Sequence, residues 1–349
     1  MRYIVVGPGA VGGTVGGLLA RAGHDVVLAA RGAHLAALRS GGLTVATPTE
    51  TFTVRPPVIA GSGDLRLTAD DALLLAVKSQ DTAAVVTAWN GRPVTGGGLA
   101  ADSLAADGSA ADRLAADSLP VFCVQNGVEN ERQAARYFAQ VYGVGVQMPA
   151  DLLGPGQVVA PGSPVAGVME IGRYPAGTSP AAERLAADLT ASGFIASVTG
   201  QVMTAKYTKL LRNLRNAIIA ACGSMESPEA RTLAGLAVAE AAACYRAAGI
   251  EHLDLRAANA AREEVVREVP VNGRTRGGGS TWQSLHRQAG RVEADYLNGE
   301  IVLLGRLHGV PTPVNELLRQ TVNTMAARRE LPGTIDPAAL LAGARPATR

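Results

Sequence analysis

The residues Gly7-Pro8-Gly9-Ala10-Val11-Gly12 have the spacing G-x-G-x-x-G, with another glycine at 13. The first glycine permits a tight turn, the second lets a pyrophosphate approach the main chain, and the third lets a helix pack closely on a strand. On its own such a run is an ordinary glycine-rich turn. Here it follows the apolar run Tyr3-Ile4-Val5-Val6 and opens a helical stretch, which is the context that makes it a dinucleotide site. A helix starting there would offer free N–H groups to phosphates. Gly7, Pro8, Gly9, Ala10, Val11 and Gly12 are therefore candidate cofactor contacts. The next apolar run ends in Ala29-Ala30-Arg31-Gly32, about twenty residues past the third glycine. An acidic residue there would accept a ribose 2′-hydroxyl, whereas a guanidinium binds a 2′-phosphate. With Arg31 at that place and no carboxylate set to repel the phosphate, the expected cofactor is NADPH. Lys78 and Asn126 close two further apolar runs, and at the carboxyl ends of strands they would face the ribose and the nicotinamide.

A second group lies in Lys206-Tyr207-Thr208-Lys209-Leu210-Leu211-Arg212-Asn213-Leu214-Arg215-Asn216. Lys209, Asn213 and Asn216 stand at i, i+4 and i+7, which on one helix puts them in a stripe about 60° wide. A solvated helix face is the ordinary alternative. If the stripe is buried, an ammonium and two amides need partners, because buried polar groups are costly when unpaired.

These residues need elements to hold them. Tyr3–Val6, Val26–Ala29, Ala72–Val77 and Val121–Val124 are apolar and continuous, as strands buried on both faces should be. Helical segments such as 15–21 and 33–38 separate them. That alternation predicts an α/β fold with an N-terminal Rossmann-type, doubly wound parallel sheet. After about residue 200 the chain becomes Ala/Leu/Arg-rich, with helical segments expected over 202–221, 228–248, 256–266 and 280–308. The expected domains are 1–199, binding NADP, and 200–349, all-helical, for substrate and dimerisation. Residues 99–119 repeat Leu-Ala-Ala-Asp three times and read as an expanded surface loop or short exposed helix. Residues 270–279 read as a mobile loop, and the tail after Pro332 as frayed.

Bulk properties narrow the classes. Of 349 residues, 47% are hydrophobic and 18% charged, enough for two buried cores, and the net charge of +2 gives nucleic acid no footprint. The apolar stretch after Met1-Arg2 is too short for a secretory leader, and no apolar stretch has spanning length, so no membrane partner is expected. Cys123, Cys222 and Cys244, odd in number and far apart, suit reduced thiols in a cytoplasmic protein. The five histidines are scattered, so no metal is expected.

Taken in order, these motifs resemble the ketopantoate reductase (2-dehydropantoate 2-reductase) family over most of the chain. The resemblance is carried by Gly7 to Gly12, Arg31, Lys78, Asn126-Gly127, the Lys209/Asn213 helix and Val292-Glu293-Ala294-Asp295-Tyr296-Leu297-Asn298-Gly299. The last is close to the family's E-x-D-Y-(I/L)-N-G run. The resemblance implies NADPH-dependent reduction of a 2-oxo acid, ketopantoate to pantoate, as in pantothenate biosynthesis. It implies Lys209 as proton donor and Glu293 as the active-site carboxylate. Asn126, Asn213, Asn216 and either Ser280 or Thr281 would hold substrate, and Ala150 would close over the cofactor. A homodimer is compatible with an exposed helical domain.

Three positions depart from the family: Ala217 and Gly278 stand where asparagines are usual, and Gln125 begins the His-Asn-Gly motif. They bear on the substrate and leave the fingerprint and Lys209 intact, which keeps a paralogue for another branched or bulky 2-oxo acid open. Two other readings stay open. One is a β-hydroxyacid or 6-phosphogluconate type dehydrogenase, which would lack the E-x-D-Y-x-N-G run. The other is a non-catalytic NADPH-binding regulator, which would not need Lys209.

Overall fold

The computed structural model describes residues 1–95 and 113–344. The chain forms two compact units, one of residues 1–125, 130–203 and 261–275, the other of 126–129, 204–260 and 276–349.

The first unit is built on an eight-stranded sheet. Across it run Ile195–Val198, Val168–Arg173, Val141–Gln147, Val121–Cys123, Asp71–Leu75, Arg2–Val6, Val26–Ala29 and Val58–Ile59. All neighbours pair parallel except Val141–Gln147 with Val168–Arg173. Arg2–Val6 is central because both of its faces are covered. Tyr3 and Val5 pack with Leu19, Leu28 and Phe122, while Ile4 and Val6 pack with Leu73, Val86 and Trp89. Burial on two sides is why the run is unbroken rather than alternating. From this strand the chain first builds outward to Val26–Ala29 and Val58–Ile59, then returns to the other side as Asp71–Leu75. The reversal creates a switch point between Arg2–Val6 and Asp71–Leu75, where open α/β sheets bind ligands.

A second sheet went unforeseen. It runs Asp151–Gly154, Gln157–Val159, Leu43–Ala46, Thr51–Val54 and lies against the helix Ala10–Arg21. Its strands are short and, apart from the mostly buried Leu43–Ala46, half-exposed, so they carry no long apolar run. The last piece of this unit comes from late in the chain, where Val266–Glu268 pairs antiparallel with Gly162–Pro164. The expectation of helix throughout residues 200–349 is corrected there.

The described residues of the second unit form helices and short turns only. The helix Pro228–Ala248 has the expected bounds, and the local chemistry explains both ends. Ser227 accepts from the Ala230 N–H, a proline opens the helix, and Gly249 at φ +65° closes it. Three other expected segments are corrected. The stretch 202–221 is two helices, Val202–Asn213 and Arg215–Cys222. The stretch 280–308 is Ser280–His286, a 3₁₀ turn Ala294–Tyr296, and Asn298–His308. Of the tail expected to fray, residues 345–349 lie outside the described residues, and the described part is ordered: Asp336 caps the helix Pro337–Gly343 and Leu340 is buried. Of the expected surface tract 99–119, residues 99–112 lie outside the described residues. Arg113–Leu114 pairs with Pro93–Val94, and Ala115 and Leu119 are buried. All three cysteines are thiols, and burial pushes Cys222 up to about 11. Among the described residues no helix is long and apolar enough to cross a membrane.

Candidate active site

At the switch point the chain leaves its central strand through Gly7, whose φ of +89° is a left-handed conformation that side chains rarely adopt. A β-carbon there would also lie 2.6 Å from Val77 Cγ1 and 2.9 Å from the Val77 nitrogen. The turn is thus pressed onto the end of the neighbouring strand. A β-carbon on Gly12 would overlap the Gly7 carbonyl oxygen and come within 2.8 Å of Ala76 Cβ. Gly9 differs, because nothing lies within 4 Å of where its β-carbon would be. Two glycines are therefore small because protein surrounds them, and one is small while facing open space. The helix Ala10–Arg21 starts at Gly9 with no side-chain cap and no acid in its first turn. The N–H groups of Ala10, Val11 and Gly12 have no carbonyl one turn earlier in the helix, which suits an anion. Pro8, between Gly7 and Gly9 in the turn, is buried. These residues fit the phosphates of a dinucleotide.

Arg31 is the N-cap of the helix Gly32–Gly41, and its side chain is 73% exposed. One carboxylate does stand near it: Asp81 Oδ1 is 3.9 Å from the Arg31 guanidinium. This corrects the expectation of no acid there. Asp81 comes from the turn Ser79–Asp81, fifty residues further on by sequence, so the local motif does not reveal it. The separation exceeds hydrogen-bonding distance. Lys78 caps that turn, its carbonyl accepting from the Asp81 N–H at 2.8 Å. Ala150 is buried and immediately precedes the strand Asp151–Gly154.

Gln125, the departure from histidine, has a structural role. Its buried amide donates to the Val77 carbonyl at 2.9 Å and to the Thr82 hydroxyl at 2.8 Å. Thr82 donates in turn to Asn130, and Asn130 to Ser79. A connected set of buried polar groups thereby fixes the ends of the two strands that precede Lys78 and Asn126.

In the second unit, Lys209 Nζ donates to Asn126 Oδ1 at 2.6 Å. Two residues singled out by separate motifs, 83 positions apart, meet in one hydrogen bond. The helix bearing Lys209 is anchored along its length. Thr208 accepts from the Leu253 N–H at 2.8 Å, and the Tyr245 hydroxyl donates to the Tyr207 carbonyl at 3.2 Å. Burial pushes the Tyr245 phenol well up, so it remains a neutral donor.

Lys209 and Asn213 share the helix Val202–Asn213 as expected, but Asn216 does not. Asn213 is the buried last residue of Val202–Asn213, and Asn216 belongs to Arg215–Cys222. At Leu214, between the two helices, Asn298 Nδ2 donates to the Leu214 carbonyl at 3.3 Å. Asn216 lies against Gly279, whose β-carbon would be 3.1 Å from Asn216 Oδ1. That brings Asn216 to the start of the helix Ser280–His286, where Ser280 is half-buried and Thr281 buried.

The run 293–299 divides its work. Glu293 is buried, 5% exposed, at the head of the 3₁₀ turn. Asp295 is exposed and pairs with Arg319 at 2.8 Å. Asn298 is buried and also donates to Asn315 Oδ1 at 3.0 Å; Asn315 in turn donates to Glu240 and to the Ala237 carbonyl. Sequence reasoning quoted Asn298 only as part of a motif. Its link to Leu214, and the roles of Asn315 and Glu240, carried no local signal. Among the described residues no group of three or more His, Cys, Asp or Glu could hold a metal.

Comparisons with known proteins agree with these features. Residues 3–95 match the family model "Ketopantoate reductase PanE/ApbA", and residues 201–326 match "Ketopantoate reductase PanE/ApbA C terminal". A 2-dehydropantoate 2-reductase of Halobacterium salinarum is 28% identical over 332 residues, 92% of this chain and 98% of that protein. A solved ketopantoate reductase of Ralstonia eutropha JMP134 is similar with TM-score 0.73 and 27% identity, covering 94% of this chain and 99% of that one. A D-mandelate dehydrogenase solved with NADH and anilino(oxo)acetate shares the fold at TM-score 0.75 and 22% identity, covering 95% of this chain and 100% of that one. With both domain models matched in order on the two units that carry the fingerprint and Lys209, the chain belongs to the ketopantoate reductase family.

Proposed function

We propose that this chain is an NADPH-dependent reductase that converts 2-dehydropantoate (ketopantoate) to pantoate. The observation that carries the reading is the hydrogen bond from Lys209 Nζ to Asn126 Oδ1 at 2.6 Å, an ammonium held at a defined point by an amide. NADPH, when bound, supplies the hydride. As C2 of the oxo acid is reduced, negative charge gathers on its carbonyl oxygen, and the Lys209 ammonium stabilises and then protonates that oxygen. Asn126 accepts one Nζ–H and so limits the directions in which the others point. Glu293 orients the lysine or accepts from a substrate hydroxyl, and Asn213, Asn216, Ser280 and Thr281 hold the acid. Gly7, Pro8, Gly9, Ala10, Val11 and Gly12 cradle the pyrophosphate, with Lys78 and Ala150 beside the cofactor. Arg31, exposed at its strand end, supports NADPH over NADH through the 2′-phosphate. The enzyme would serve pantothenate biosynthesis in the cytoplasm. Leu303 and Leu307, exposed one turn apart, support a homodimer.

A second reading keeps the chemistry and changes the acid. Ala217 is 2% exposed, and a β-carbon at Gly278 would meet the Trp282 side chain at 2.7 Å. Neither position offers the amide usual in the family, which favours a 2-oxo acid with fewer hydroxyls to satisfy.

The test is oxidation of NADPH by purified protein over a panel of 2-oxo acids including ketopantoate, beside Lys209→Ala. Turnover of ketopantoate that falls by roughly 10²–10⁴ in the variant supports the first reading. Turnover of another 2-oxo acid alone selects the second. No turnover of any, with NADPH bound tightly, sinks both.

A further inference from the structure

His34 was singled out by no motif, yet its ring contacts the fingerprint turn. It lies three residues past Arg31, in the first turn of the helix Gly32–Gly41. The Gly156 N–H donates to His34 Nδ1 at 2.9 Å, and His34 Nε2 is 2.7 Å from the Pro8 carbonyl oxygen. A main-chain N–H can only donate and a carbonyl can only accept, so the ring carries its hydrogen on Nε2. Each ring nitrogen thus holds a different backbone segment. Gly156 is the turn of the hairpin Asp151–Gly154/Gln157–Val159, which begins next to Ala150. The hairpin also presses on the fingerprint directly: a β-carbon on Gly13 would be 2.8 Å from Val158 Cγ1 and 2.9 Å from the Pro8 oxygen.

We propose that His34 is a positioning residue for the dinucleotide, holding the Pro8 peptide so that the N–H groups after Gly9 stay aimed at one point. The proposal rests on the reading of residues 7–12 as the phosphate site. Glycine-rich turns lose much conformational freedom when ordered. A turn already fixed by an imidazole meets that cost in folding rather than in binding, which is how preorganisation raises affinity. The same ring joins three segments assigned to the cofactor: the turn at Pro8, the helix headed by Arg31 and the hairpin that follows Ala150. Neither partner can be supplied by a hydrophobic side chain of similar size. A glutamine can supply both, since one amide end carries an acceptor and a donor.

The experiment is direct titration of the full chain with NADPH by fluorescence, with steady-state kinetics and thermal unfolding on the same samples. His34→Leu is expected to raise the NADPH Kd about tenfold, with kcat at saturating NADPH and the KM for the oxo acid within about twofold of the parent. His34→Gln is expected to recover most of the affinity. His34→Asn, whose shorter amide reaches at most one partner, should fall between them and keeps the test open if the leucine variant does not fold. An unchanged Kd in His34→Leu or His34→Asn overturns the proposal. So does a parallel loss of Kd, kcat and melting temperature that glutamine does not reverse, because that marks a merely structural residue. Gly9→Ala on the same instrument separates the two layers. If it binds NADPH normally, the phosphate-site reading falls and this proposal with it. If it loses binding while His34→Leu keeps it, only the role of His34 falls.

Discussion

The two units present their chemistry in different ways. In the first, the groups proposed to meet a ligand are largely main-chain N–H groups, exposed by glycines at a strand-to-helix turn. In the second the proposed groups are side chains: an ammonium, a buried carboxylate and several amides, carried on helices and the turns beside them. A backbone site is sensitive to any added β-carbon and needs few side-chain partners. A side-chain site tolerates changes in the backbone between its members but depends on partners that hold each group. Lys209 relies on Asn126, and the Leu214 carbonyl relies on Asn298, which relies on Asn315 and Glu240.

The comparison is broken most severely within the fingerprint. Gly12→Ala forces a β-carbon onto the Gly7 carbonyl, and overpacking of this kind costs about 1–3 kcal/mol. Its melting temperature should fall along with its NADPH binding. Gly9→Ala meets no protein atom and should melt like the parent while its NADPH Kd rises at least tenfold, about 1.4 kcal/mol. Calorimetry and titration on the pair check this. Equal melting losses in both would mean that Gly9 is structural too.

The helical unit is sharpened by Asn298→Ala. The change leaves the Leu214 carbonyl and Asn315 Oδ1 without this donor in a buried place, at a cost of about 1–3 kcal/mol. Turnover should fall while the NADPH Kd stays within about twofold, because the fingerprint lies in the other unit. A matching loss of NADPH affinity would show that the two sites do not fail separately.

The smallest effect concerns Glu170, in the nucleotide unit but away from the fingerprint. Burial pushes its carboxyl up, only partly offset by the Gln147 amide. A raised carboxyl favours the folded state in its protonated form, so its ionisation weakens the fold as pH climbs from the ordinary carboxylate value through the raised one. Glu170→Gln should therefore melt higher near pH 7, by roughly 2 °C, and show no gain at acid pH where the parent carboxyl is protonated. A gain that persists at acid pH would point to packing instead.

What could be read from sequence follows the same division. The fingerprint was legible because Gly7 and Gly12 are demanded by local conformation and close approach, and spacing records both. The strand Arg2–Val6 was legible because two covered faces leave an unbroken apolar run. The hairpin at residues 151–159 was not, since its strands are short and one edge faces solvent. The break at Leu214 was hidden for a different reason: no glycine or proline marks it, and the side chain bonded to its carbonyl comes from 84 residues away. Asp81 beside Arg31 and Gly156 beside His34 are the same case, partners set by topology rather than by neighbours in the chain. The helix Pro337–Gly343 was within reach. Asp336-Pro337 is a capping pair, outweighed by the surrounding Gly, Pro and Ala.

The strand Val266–Glu268, which returns to pair with Gly162–Pro164, has a consequence for how the gene can be cut. The path passes between the two units five times, after residues 125, 129, 203, 260 and 275. A fragment stopped near residue 200 would make the nucleotide unit without its closing strand, and one started there would lack Asn126. A chimera joined there would therefore draw the partner of Lys209, and the strand that pairs with Gly162–Pro164, from different parents.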